Sequence, residues 1–451
     1  MHQSIALRFL AGFGRLLLSM VLLAATWFTW TEWNAARQLK GLVRSAQGTG
    51  SPVDDQSMQT WFEQKTNKEK TQAWSEILAL SASRAIRERV TNLADETADE
   101  VVPDSNDPKA LDDYFRGVGK TIEELQPLLD RIHSESHVEQ PVWIPIRFDG
   151  MNTLLECLSN SVHVRRLLVM EWEYAMHAQD RDRALASLQA MHRCLKVFDW
   201  PLGTIATSFH AGRRVDIYNQ IERSLRVLRW NEQQLVALQS LLTPMDLETT
   251  WRNMLEANQA LLKREFSADD YRASAEERLA LRFISLPSWQ LARWEDNIKA
   301  RDAVGAEYEQ LSVIGEKLER EMLPARFGVS WKQFADMLAS HESYRRFVLA
   351  ATEVQLFQSK NGRLPKDLSE LSEVKSQHSV YRSVNGKPFE FQWLSAGKQA
   401  KLVSKLSDGK FSDAGAERDQ FVLQIMSPNG NALQREMLFE ATPGSDADPA
   451  K

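Results

Sequence analysis

LVMEWEYAMHAQDRDRALASLQAMHRCL, residues Leu168–Leu195, holds two helical runs around a short polar turn. Leu154, Leu158, Leu168, Trp172 and Ala175 punctuate the first run, and Ala184, Leu188, Met191 and Leu195 the second, at the spacing of one helix face. Ala178–Asp182 is too short to do anything but reverse the chain, so the pair reads as an antiparallel helical hairpin. The hairpin also bears on the two cysteines, Cys157 and Cys194. The residue level with Cys194 is near Arg166, which leaves Cys157 about nine residues, or roughly 13 Å, farther along its helix. A disulfide needs Cα atoms within ~7 Å. Both cysteines therefore read as small core side chains.

Working outward, nearly everything from Asn152 to Phe327 has helical periodicity. Ile217, Ile221, Leu225 and Leu228 form a third stripe. Asn231-Glu-Gln-Gln234 has the form of a capping box ahead of Leu235, Leu238 and Leu242, and Thr243-Pro244 ends that helix. Further stretches cover Leu247–Glu265, Asp269–Ile284 and Pro287–Met322. Short turns between helices imply a bundle or an α-solenoid. Upstream, one helix is expected over Lys68–Leu93, then Pro108–Tyr114 and Thr121–His133 as separate helices. The acidic run Asp95–Asp107 reads as a solvated loop, and Gln140–Gly150 with its two prolines as an extended connector. Ser330-Trp-Lys-Gln333 opens a last long helix to about Lys360, closed by Asn361-Gly362. Beyond it come strand signals. Val380–Val384, the Asn385-Gly386 turn and the alternation of Phe389, Phe391 and Trp393 form a hairpin pattern, followed by Lys401–Leu406, Asp408-Gly409 and Phe421–Met426.

Near the start, Leu16–Thr31 (LLLSMVLLAATWFTWT) has no charged residue. A spanning helix needs ~20 mostly apolar residues, which the run reaches by extending back to Phe9 if Arg15 snorkels to the headgroups. Trp27, Trp30 and Trp33 cluster at the distal end, where indoles favour the membrane interface. A cleaved signal peptide is the rival reading. It needs small residues at alternate positions, and Ala24, Ala25 and Ala36 lack them. Basic residues flank the run on both sides, with Arg8 and Arg15 before it and Arg37, Lys40 and Arg44 after. The short basic tail favours a cytoplasmic N-terminus. Gly48–Asp55 reads as a linker after the anchor.

The loop Ala178-Gln-Asp-Arg-Asp-Arg-Ala184-Leu185 resembles the turn and second-helix start of a tetratricopeptide-type unit. Residues Leu349–Leu371 resemble part of a pseudopilin-type module, in which a helix ends in aromatic, Gly, Pro, Leu, Leu, here Phe357, Gly362, Pro365, Leu368 and Leu371. With the anchor, the chain resembles a group of uncharacterised, membrane-anchored bacterial proteins. The resemblance implies a helical array followed by a small antiparallel sheet. The prepilin processing pattern is absent, since Gly14 is followed by Arg15 and no acid occurs before Glu32. Asn429, Asn431 and Gln434 stand where some pseudopilins hold calcium with aspartates. Neutral amides bind a hard cation weakly, so the module reads as a structural end-piece.

Chemistry is harder to find. The net charge of −6 over 451 residues argues against a nucleic-acid binder. Fourteen scattered tryptophans read as packing residues. No Gly-x-Ser-x-Gly elbow, phosphate loop, dinucleotide fingerprint or HExxH helix occurs, and His341-Glu342 is no zincin motif. His133 and His137 have chelating spacing but read as a solvated helix end; Glu173 and His177 read as a surface pair. Arg213-Arg214 and Arg345-Arg346 read as solvated basic pairs. His163, Glu173, His177, His192 and His210 form the one set that could converge as an acid–base or metal cluster. The expectation is thus a mainly α protein with anchor 1–35, helical region 36–150, helical array 151–329, long helix plus pseudopilin-like α+β module 330–440, and tail 441–451. It is expected in the bacterial inner membrane, with its bulk in the periplasm, acting as a scaffold among other envelope proteins. No catalytic residue, cofactor or metal is assigned, and no nucleic-acid partner. The alternatives are an envelope hydrolase built on the five-residue set and an accessory subunit of a secretion or pilus-like assembly.

Overall fold

The computed structural model describes residues 2–94, 108–148, 156–200, 202–262, 286–303, 308–321, 330–371, 389–395, 399–405 and 434–440. The protein is mainly α. Helix α1 (His2–Gly48) is unbroken. Its distal half carries one packed stripe, with Ala35 buried and Leu39, Leu42 and Ala46 half-buried at three- and four-residue steps. That stripe lies on α11 (Pro287–Ala303). Glu32 fixes the register there. Its carboxylate accepts from the Ser288 amide at 3.0 Å and from the Ser288 hydroxyl, occupying the positive end of α11. Among the described residues no helix is long and apolar enough to cross a membrane. The side chains of residues 1–17, which carry the start of the expected span, lie outside the described ones.

After Gly50 (φ +78°), Asp54 and Ser57 form a reciprocal capping box that starts α2 (Asp55–Lys65). The single helix expected over Lys68–Leu93 is two, α3 (Thr71–Ser81) and α4 (Arg84–Ala94), bent at Ala82 and Ser83. The bend lets both pieces reach α6 (Glu156–His177), which a straight rod would leave. The converse holds for α5 (Pro108–Glu135), a single helix where two were expected. Val118, Ile122, Leu125, Leu129 and Ile132 are buried in one uninterrupted stripe, and this burial outweighs the lost N–H of Pro127 inside the helix. Gly119 permits the close approach of α6, since a Cβ there would stand 2.7 Å from Cε2 of Tyr174. The connector is extended, as its prolines required, and Val142 bridges to Asn67.

The hairpin is α6 and α7 (Arg181–Val197), turned through Gln179 (φ +55°) and capped by Asp180, which accepts from the Arg183 amide at 3.0 Å. Next come α8 (Gly203–Val227), α9 (Glu232–Leu241) with the expected Asn231/Gln234 box, and α10 (Leu247–Leu262). The expected run Pro287–Met322 is α11 and α12 (Leu311–Glu321), joined through a short 3-10 turn at Tyr308–Gln310. Helix α13 (Trp331–Asn361) opens on Ser330, whose hydroxyl accepts from the Gln333 amide, and closes on Gly362 at φ +69°. Strands β1 (Glu390–Ser395), β2 (Gln399–Lys405) and β3 (Gln434–Glu440) form an antiparallel sheet in that order, with Phe391 opposite Leu402 and Leu402 opposite Met437. Strand β3 was not anticipated. Asp95–Asp107, Asp269–Ile284, Val380–Val384, Asn385-Gly386, Asp408-Gly409, Phe421–Met426 and the tail lie outside the described residues.

One buried cluster extends from Met58 to Leu402, with Trp74, Trp172 and Phe347 at its centre. It crosses residues 150 and 329, because α13 lies over α8 and α9 and seats Phe347 edge-on against Phe389 at 5.8 Å. A smaller cluster, around Trp251 and Phe334, joins α10, α11, α12 and the start of α13.

Candidate functional site

Helices α6, α7 and α8 pack together, and a cavity of about 40 Å³ lies between them. Its walls are mostly apolar, from Leu168, Met191, Leu195, Phe198 and Ile217. Three charged groups intrude: Arg165 from α6, and Arg213 and Asp216 from α8. Their placement follows from helical spacing. Arg165 stands between Ser161 and Leu168, and Arg213 between Phe209 and Ile217, so each guanidinium is carried inward on an otherwise packed face.

Both cations turn to the same oxygen. Asp216 Oδ2 is 2.9 Å from Arg165 Nε and 4.0 Å from Arg213 Nη1. The first approach is off-line, so the buried Arg165 Nε makes no hydrogen bond. Arg213, whose side chain is 14% exposed, lies over the Phe209 ring at 4.4 Å. Burial, with Arg165 and Arg166 nearby, pulls its guanidinium down to about 9 against the pull of Asp216. Burial likewise raises Asp216, with Arg165 and Arg213 opposing. Two guanidinium groups thus share one carboxylate.

The five residues considered as a cluster do not converge. His177 closes α6 at the other end, stacked on Phe115 at 4.1 Å and 3.3 Å from Asp112 Oδ1. Glu173 does not pair with His177; it meets Arg223 Nη1 at 3.4 Å, and burial raises its carboxyl. His163 stands apart, lowered by burial and then by Arg166 and Arg87. Only His192 and His210 are neighbours. Burial takes His192 to about 4, helped by Arg214, Arg193 and His210. His210 lines the cavity, accepts from Arg214 Nε at 3.4 Å and is also lowered by burial. Among the described residues no three His, Cys, Asp or Glu side chains stand together as a metal site. Cys157 and Cys194 are free and buried, and burial pushes both thiols to about 12, which makes them inert.

Three further sequence readings are corrected. His133 is not a solvated helix end: its Nε2 is 2.8 Å from Glu171 Oε2. Glu171, 3% exposed, also accepts from Ser187 Oγ at 2.9 Å and Arg183 Nε at 3.3 Å, so one carboxylate joins α5, α6 and α7. Desolvation would raise it, but those donors hold it below the usual carboxylate range. Arg345 and Arg346 are buried rather than solvated. Arg345 grips Glu342 with two 2.7 Å bonds and donates to the Leu242 carbonyl, and Arg346 donates to Glu342 at 2.9 Å. Arg213-Arg214 is corrected too, since Arg213 lines the cavity and Arg214 donates to His210 Nε2 at 3.4 Å and to the Thr243 carbonyl at 3.2 Å. A cation flanked at four-residue steps by apolar residues is the signal that could have found Arg213.

Compared with known proteins, the chain matches no family model, no curated protein and no solved structure.

Proposed function

We propose that this protein is a single-pass scaffold of the bacterial envelope, held in the inner membrane by the first part of α1, with its helical bulk in the periplasm. The observation that carries the reading is the collar from Leu18 to Trp30. It is exposed on every side of the helix, with Leu23 72% and Trp27 67% exposed. A docking helix shows one apolar face; a helix apolar all round needs an apolar solvent. Thr26 and Thr29 turn their hydroxyls back onto the Leu22 and Ala25 carbonyls at 2.7 and 2.8 Å, the arrangement that suits a hydroxyl in hydrocarbon. Trp27, Trp30 and Trp33 then stand at the level where the apolar run meets Glu32, and Arg37 lies over Trp33. Past that level the helix has a protein partner, α11, so the anchor continues into the folded body without a hinge.

The hydrolase alternative loses its footing with the separation of its five residues. The accessory-subunit alternative keeps some support from the order of α13, Gly362 and an antiparallel sheet. The test is membrane partition of the full chain expressed in a bacterium. It is expected to stay in the pellet through alkaline carbonate and to leave with detergent, while deletion of Leu16–Thr31 moves it to the supernatant. A carboxy-terminal tag is expected to be cut by protease in spheroplasts, and crosslinking to capture envelope proteins. Full-length chain, uncut at its amino end, in the aqueous fraction would end the proposal.

A further inference from the structure

We infer that the cavity between α6, α7 and α8 is a binding site for a short-chain carboxylate, a monoanion with a small apolar body. The charge deficit comes first. Arg165 and Arg213 share Asp216, the buried Nε of Arg165 donates to nothing, and Arg213 has no hydrogen bond among the described residues beyond its distant approach to Asp216. A guanidinium offers five donors in a fork that matches a carboxylate, and leaving such a group half-desolvated without acceptors is costly. One added negative charge neutralises the group; a second would exceed what it can balance.

The shape selects the rest of the ligand. The cavity adjoining the guanidinium groups is walled by Leu168, Met191, Leu195 and Phe198, with space of about 40 Å³. So small a space with such walls favours a very short carbon body over the hydration shell of a phosphate. The other ionisable groups facing the cavity region are His210, Cys194 and, from beside it, His192, Arg214 and Asp199. Burial lowers both imidazoles and raises the thiol, and the one further carboxylate nearby, Asp199, is half exposed and stands against His210 at 3.8 Å rather than against either arginine. Ser161 in the lining donates its hydroxyl to the Leu158 carbonyl at 2.7 Å, which leaves the arginines as the donors for the anion. The site is distinct from the membrane collar and does not depend on it.

The experiment is titration of the full-length protein in detergent with acetate, followed by calorimetry and saturation-transfer NMR, with acetamide and inorganic phosphate as controls. Saturable acetate binding is expected with a Kd under about 1 mM. Arg213→Met should weaken it at least about tenfold, the effect of removing a charge-assisted contact. Arg165→Met should weaken it similarly and serves if the first variant does not fold. Asp216→Asn should tighten binding, because it removes the anion that competes for the same donors; a merely structural aspartate would not do so. The inference is overturned by absence of saturation up to about 20 mM, by acetamide binding equally well, by phosphate displacing acetate at equal concentration, or by arginine variants that bind as the parent does.

Discussion

Glu171 and Arg213 occupy the same layer of packed helices and are treated in opposite ways. Glu171 is a single buried carboxylate with donors from three directions, His133, Ser187 and Arg183. Arg213 is a buried cation with an aromatic face beneath it and a shared carboxylate 4.0 Å away. The first arrangement is closed: every lone pair aimed inward has a use, and the three helices cannot separate without breaking several bonds at once. The second is open, with donors in excess of acceptors. Saturated polar groups in a core hold elements together, whereas unsaturated ones beside a cavity add little to that hold.

The contrast makes predictions, beginning with the largest effect. Glu171→Ala is expected to cost about 3–5 kcal/mol, because three hydrogen bonds to one buried charged group are lost at once; urea denaturation followed by circular dichroism reads it. A loss within experimental error would mean that the carboxylate is not what joins α5, α6 and α7.

Acid should act next. His192 and His341 both sit at about 4 in the folded protein, chiefly through burial, below their unfolded value of 6.5. The unfolded chain therefore binds more protons between those values, so stability is full above about 6.5 and falls as pH drops toward 4. The lowered Glu171 acts in the same direction, its share being lost as pH falls through its folded value. A decline of about 1–3 kcal/mol across that window is expected. His341 Nδ1 has no hydrogen-bond partner, so His341→Leu should flatten part of the slope at little cost. A slope unchanged by that substitution would remove the histidine from the account.

Beside Glu171, Gly119→Ala should destabilise by about 1–2 kcal/mol, since its Cβ would strike the Tyr174 ring. In a Tyr174→Ala background the same change should instead add up to about 1 kcal/mol, the helix propensity of alanine over glycine. Equal effects in both backgrounds would show that the ring is not the obstacle. Smallest of all, Arg213→Met should leave stability within about 1 kcal/mol of the parent, or raise it, because an underpaired cation gives way to an apolar side chain. If its cost matched that of Glu171→Ala, the two sites would be alike and the open site would be a structural one.

The sequence told some of this plainly. The Asn231/Gln234 cap, the Gly362 stop, the hairpin turn at Asp180 and the unbridged cysteines were all readable, because each depends on a few adjacent residues or on one length argument. Misreadings arose where a partner far along the chain decided. The Lys68–Leu93 pattern looked continuous, yet contact with α6 bent it. The Pro108–His133 pattern looked interrupted around its glycines, yet Tyr174 needed Gly119 there. Four arginines were read as solvated because they come in pairs, and local polarity says nothing of what lies across the helix.

By itself, then, the sequence determined the helical class, the places where helices start and stop, and the apolar all-round character of Leu18–Trp30. These follow from hydrogen bonding and periodicity within a few turns. Only the tertiary structure decided which charges are spent and which are held in reserve. His133 found Glu171 from 38 positions away, and Arg165 found Asp216 across a helix packing. Pairing of that kind depends on desolvation and on distances set by packing, and neither quantity is a property of neighbouring letters.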